Sequence, residues 1–142
     1  VNVPTTATPS PRDARRRRLR YVLAGIMLSI GALHFIVPGP FVKIVPSALP
    51  APLALVLISG FFEMLGGAGL LVPRARRVAS IGLVLLYLAV FPANINMTMH
   101  PEISAPYGIP LWSLWARLPL QAVFIAWALW VGGGSVGERA VR

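Results

Sequence analysis

Four apolar runs, at 21–37, 53–72, 78–99 and 111–131, take up most of this 142-residue chain. A hydrocarbon core about 30 Å thick needs about 20 helical residues to cross it. Each run is therefore the length of one membrane crossing, the first slightly short. Only 12% of the residues are charged, against about 25% in soluble domains, too few to coat a water-soluble surface. Disorder is excluded as well, since disordered chains are poor in apolar residues and 56% of this chain is hydrophobic. The expectation is an all-α, integral-membrane four-helix bundle over 21–131. A basic disordered tail at 1–20 precedes it, and a Gly-rich polar tail at 132–142 follows.

Thirteen basic residues against four acidic ones give a net charge of +9, which in a soluble chain would point to nucleic acid. Position argues otherwise. Arg12, Arg15, Arg16, Arg17, Arg18 and Arg20 immediately precede the first apolar run, and Arg74, Arg76 and Arg77 fill the gap between the second and third. Lys and Arg number six in the first tail, one, three and none in the successive loops, and two in the last tail. This alternation places both termini on the cytoplasmic side. Trp112 and Trp115 near one end of the fourth run, and Trp127 and Trp130 near the other, suit interfacial belts. Attraction to anionic headgroups replaces nucleic acid as the meaning of the arginines. A basic stretch before an apolar run also begins a secretory signal, but no small-residue cleavage site follows, so a retained helix is expected.

Proline marks the remaining boundaries. Five of the fourteen prolines fall in 38–52, too dense for a continuous helix, so an outer loop with at most a short turn at 42–45 is expected. Pro92 and Pro119 lie inside the third and fourth runs and should kink those helices.

Ionisable groups inside such runs are costly and need a reason. Glu63 lies near the middle of the second run, with Ser59, Gly60, Gly66 and Gly67 at helical spacing. Small residues let a neighbouring helix approach, so Glu63 should face the bundle interior. Arg117 and Gln121, four apart in the fourth run, bracket its depth, and an Arg–carboxylate pair is the least costly way to hold both charges. That pair reads either as a structural lock or as a ligand-binding or proton-handling site. His34 and Asn94 fall in the outer half of the first and third runs. Thus His34, Asn94 and Gln121 are candidate ligand-binding residues, and Glu63 and Arg117 a candidate buried ion pair or proton-handling site.

Other chemistries find no support. The chain has no cysteine, hence no disulfide or thiolate metal site. The second histidine, His100, is a loop residue, so bis-His haem lacks its ligands, and His100 and Glu102 show no zinc spacing. The glycines at 66, 67 and 69 lie inside an apolar run and read as helix packing rather than a phosphate loop. Asp13, the sole aspartate, sits in the tail, so no Ser-His-Asp set assembles. No internal repeat of the kind found in secondary transporters is visible.

Several motifs together resemble the DoxX family. They are Gly31-Ala32-Leu33-His34-Phe35, Phe41-Val42-Lys43-Ile44-Val45-Pro46, and Ser59-Gly60-Phe61-Phe62-Glu63 with Gly66-Gly67 and Leu70-Leu71. Phe91-Pro92-Ala93-Asn94-Ile95-Asn96-Met97 and Arg117-Leu118-Pro119-Leu120-Gln121 complete the set. The resemblance covers about residues 20–131. It implies a small four-helix protein of the bacterial inner membrane, with relatives associated with quinone-linked sulfur oxidation or with protection against oxidative and thiol stress. It also places His34, Glu63, Asn94, Arg117 and Gln121 in one polar cluster.

The functional expectation is a membrane subunit of an oxidoreductase or redox-stress system that binds a lipoquinone or similar apolar ligand in the outer half of the bundle. No redox centre is covalently attached, so a redox partner protein would supply electrons; a homo-oligomer is compatible with this. The alternatives are a non-catalytic scaffold locked by a Glu–Arg pair and a small-solute carrier.

Overall fold

The computed structural model describes residues 10–133. Among them are α1 (Pro11–Ile36), α2 (Pro38–Ile44), α3 (Pro52–Leu71), α4 (Arg76–Met99) and α5 (Leu111–Gly132), with two 3-10 turns, Pro101–Ile103 and Ala105–Tyr107, and no strand. The four long helices are each long and apolar enough to cross a membrane. They follow the four apolar runs closely, and α4 and α5 continue through Pro92 and Pro119.

The basic segment departs from expectation. Residues 11–20, read as part of a disordered tail, are the first turns of α1, while 1–9 and 134–142 lie outside the described residues. The cause is local. Pro11 occupies the first turn, and the Ser10 hydroxyl accepts the Asp13 backbone N–H at 3.2 Å while donating to the Asp13 carboxylate at 2.8 Å. A Ser cap with an acidic side chain three residues on is a helix-start signal. It went unread because arginines carry no apolar period. At 26 residues α1 is about 39 Å long, well beyond a hydrocarbon core.

The segment 38–52 also departs from expectation, since Pro38–Ile44 forms a two-turn helix. Pro38 starts it, where proline's fixed φ and missing N–H are tolerated. The chain then enters α3 through Ala51, whose φ of 48° is left-handed.

The long helices pack as a ring: α1 on α3, α3 on α4, α4 on α5, and α5 back on α1. Glycines set the first two contacts. A Cβ on Gly31 would lie 2.7 Å from the Gly60 carbonyl, and one on Gly60 would lie 2.5 Å from the His34 Cβ. Gly67 meets the Ala24 carbonyl in the same seam, and Gly66 receives the side chain of Leu83 from α4. Leu23, Ala24, Met27, Leu70, Leu83, Tyr87, Ala128 and Val131 make the buried core, nearer the basic end.

The ring is apolar outside as well as inside. Phe61, Phe62, Leu65, Leu85, Leu88 and Val123 are each roughly half exposed or more. An apolar surface of this extent is an interaction surface, as it is on membrane proteins.

Gly60→Ala is expected to cost about 1–3 kcal/mol by overpacking, read as a lower thermal midpoint in detergent. Gly25→Ala and Gly82→Ala, where a Cβ meets nothing within 4 Å, should not lower it. Equal midpoints for Gly60→Ala and Gly25→Ala would contradict the close seam.

Candidate functional site

Glu63 faces the bundle interior, 8% exposed, as its small neighbours require. Its partner is not the expected one. Glu63 Oε2 lies 3.5 Å from Nδ1 of His34, whereas Arg117 is exposed and donates from Nη1 to the Met97 sulfur at 2.9 Å. The expected Glu63–Arg117 pair is therefore replaced by a Glu63–His34 pair. The reason lies in the seam. Gly60 lets α1 approach until His34 sits against α3, one helical turn from Glu63. Arg117, although exposed, turns to Met97 of α4.

His34 is held from three directions. Its Nδ1 lies 2.8 Å from the Ile30 carbonyl, which can only accept, so Nδ1 carries the proton. Phe41 of α2 stacks on the imidazole with ring centroids 3.9 Å apart. Glu63 stands at the side. Because the Nδ1 proton is directed to Ile30, Glu63 Oε2 is buried without a hydrogen-bond partner. Two other side-chain atoms among the described residues share that condition, Ser104 Oγ and Trp127 Nε1. Of the three, only the carboxyl group is an acid–base group.

The remaining candidates form a second group. Asn94 Nδ2 donates to Gln121 Oε1 at 2.8 Å, joining α4 to α5. Gln121 Nε2 donates in turn to the Tyr87 carbonyl. That carbonyl belongs to the turn preceding Pro92, where the missing proline N–H leaves the Leu88 carbonyl without its usual donor. Asn94 and Gln121 are thus brought together, but not with His34. Tyr87 stands between the two groups: its hydroxyl donates to the Met27 sulfur at 3.0 Å, and its carbonyl accepts from Gln121.

Sequence reasoning missed three contributors. Phe41 lay in a segment read as loop. Asn96 donates to the Ile44 carbonyl at 3.0 Å and ties the end of α2 to α4, a partner that no spacing rule reveals. The inward arginines also serve helix ends. Arg16 and Arg20 donate to the Trp130 and Val131 carbonyls, and Arg76 to the Leu70 carbonyl. The last turns of α5 and α3 leave such carbonyls without intrahelical donors, and cations there also oppose the helix dipole.

Among the described residues no group of three or more His, Asp and Glu side chains is placed to hold a metal. Fold and site together define a helical protein of four long apolar helices with a buried carboxyl–imidazole pair. The chain belongs to a domain family of unknown function, DUF8561, whose model matches residues 23–132. No curated protein and no solved structure matches it.

The Asn94–Gln121 bond predicts a measurable coupling. Polar contacts between membrane helices average about 0.6 kcal/mol and reach about 1.7 kcal/mol, so a double-mutant cycle of Asn94→Ala and Gln121→Ala should fall in that range. Strictly additive losses in thermal stability would show that the two amides do not hold the helices together.

Proposed function

We propose that this chain is a four-helix protein of the bacterial plasma membrane, with both termini cytoplasmic, acting as the proton-handling membrane subunit of an oxidoreductase or redox-stress system. One observation carries the reading: the buried Glu63 carboxylate beside His34, with Oε2 lacking a hydrogen-bond donor. A group that costly to bury in hydrocarbon marks a functional site by default. The arginine distribution supports the orientation, since the basic residues gather at the ends of the helices expected to face the cytoplasm.

The hydrogen-bonding chemistry of His34 supports a quinone-like ligand. With Nδ1–H committed to Ile30, the neutral imidazole offers Nε2 as its free hydrogen-bonding atom. Phe41 covers one face of the imidazole, so the ligand would meet His34 at its ring edge. His34 and Phe41 would hold the head of the ligand, which when bound supplies two-electron redox chemistry. Glu63 holds or releases a proton beside them. Asn94 and Gln121 commit their amides to each other and to Tyr87, so their part is to fix α4 against α5. The DoxX resemblance is part of the same proposal, because His34 and Glu63 are among the residues that carry it.

A scaffold reading draws on the Asn94–Gln121 bond, which serves structure alone. Mass spectrometry of quinones extracted from protein purified in mild detergent separates the two. The proton-handling reading expects bound quinone in the wild type and in Arg117→Gln. In His34→Ala it expects loss of one donor–acceptor contact, about 1 kcal/mol, or a roughly fivefold drop. Wild-type protein free of quinone, or full retention in His34→Ala, favours the scaffold.

A further inference from the structure

We propose that the basic end of α1 binds the headgroup of an anionic phospholipid, with Arg15 and Arg18 clamping its phosphate. This rests on the membrane placement proposed above and is independent of what binds beside His34.

The helical period sorts the six arginines of α1 into two sets. Arg16 and Arg20, four apart, turn inward onto α5. Arg12, Arg15, Arg17 and Arg18 remain exposed. Because Ser10 and Asp13 pin the start of the helix, these cations stand at fixed heights. Arg20 marks the level at which α5 ends, since it reaches the Val131 carbonyl. At 1.5 Å per residue Arg18 and Arg15 stand about 3 and about 8 Å beyond it. The headgroup layer is about 5–8 Å deep on each side of the bilayer, so these two arginines fall within it.

The same face supplies the rest of a lipid site. Pro11, Ala14, Arg15, Arg18 and Leu19 line a shallow groove. Toward the apolar part of α1 that face continues through exposed Val22 and Gly25, and a Cβ on Gly25 would meet nothing within 4 Å. An unobstructed apolar strip for an acyl chain therefore lies on this face below the two guanidiniums. Paired guanidiniums are suited to bidentate capture of phosphate. The carboxylate of Asp13 accepts the Ser10 hydroxyl, and Glu63 lies deep in the bundle. A free phosphate would gain nothing from the apolar strip. A nucleic-acid backbone would meet Arg12 and Arg17 as readily as Arg15 and Arg18.

The test is native mass spectrometry of the full chain in detergent, supplied with phosphatidylglycerol or phosphatidylcholine. Wild-type protein should retain phosphatidylglycerol in preference. Arg15→Gln/Arg18→Gln should lower that retention by about tenfold or more, from two basic contacts of about 1 kcal/mol each. Arg12→Gln/Arg17→Gln removes the same charge from the same helix and should lower it by clearly less, as neither arginine lines the groove. Arg15→Lys/Arg18→Lys keeps the charge but removes the bidentate fork and should also weaken retention, which keeps the site testable if the glutamine variant folds poorly. Equal losses in the two double variants, equal retention of both lipids by the wild type, or displacement of the lipid by inorganic phosphate or a single-stranded oligonucleotide would overturn the proposal. An alkaline wash separates it from the membrane reading. Release of wild-type protein by the wash removes both, whereas unselective lipid retention by a wash-resistant protein removes the headgroup site alone.

Discussion

The backbones of α1 and α3 meet at Gly31 and Gly60 so closely that a methyl group on either would strike the opposite chain. Lipid tails are as apolar as leucine, so helices in a bilayer gain little from burying apolar side chains against each other. Packing and polar contacts decide their arrangement instead. The seam supplies the packing, and it also brings the imidazole of one helix to the carboxylate of the next. A bulkier residue at position 60 would push His34 away and leave Glu63 alone in the interior. Structure and chemistry thus share the same few atoms.

The two ends of the bundle are held by different means. At the basic end, arginines from α1 and the start of α4 donate to carbonyls in the last turns of α5 and α3. At the opposite end, the short α2 is tied by three different contacts. Phe41 stacks on His34, Asn96 donates to Ile44, and the Lys43 ammonium lies 5.3 Å from the centre of the Tyr107 ring. Each contact reaches a separate part of the chain, so α2 covers the His34 side of the bundle from above.

Much of this architecture was legible in the sequence, because apolar length and proline position follow directly from the cost of exposing peptide groups to hydrocarbon. The four long helices, the inward direction of Glu63 and the packing role of the glycines all came from that logic. What escaped it depends on side-chain reach. Arg117 and Glu63 have compatible depths along their helices, but depth says nothing of azimuth, and Arg117 reaches Met97 instead. His34 was recognised as polar and deep, yet its pairing with Glu63 depends on the Gly60 contact, which ties specific residues of two helices together. In the sequence the arginines of α1 express topology and attraction to headgroups. Their helical period turns two of them into caps for α5 and leaves four exposed, a division that composition cannot express.

The central claim is that Glu63 answers to His34 and not to Arg117. Nitrogen-15 solid-state NMR of histidine-labelled protein in bilayers tests it most directly. The account predicts a protonated Nδ1 on His34, with imidazole resonances that move on Glu63→Gln and stay in place on Arg117→Gln. An unprotonated Nδ1, or resonances that respond to Arg117→Gln and not to Glu63→Gln, would contradict it.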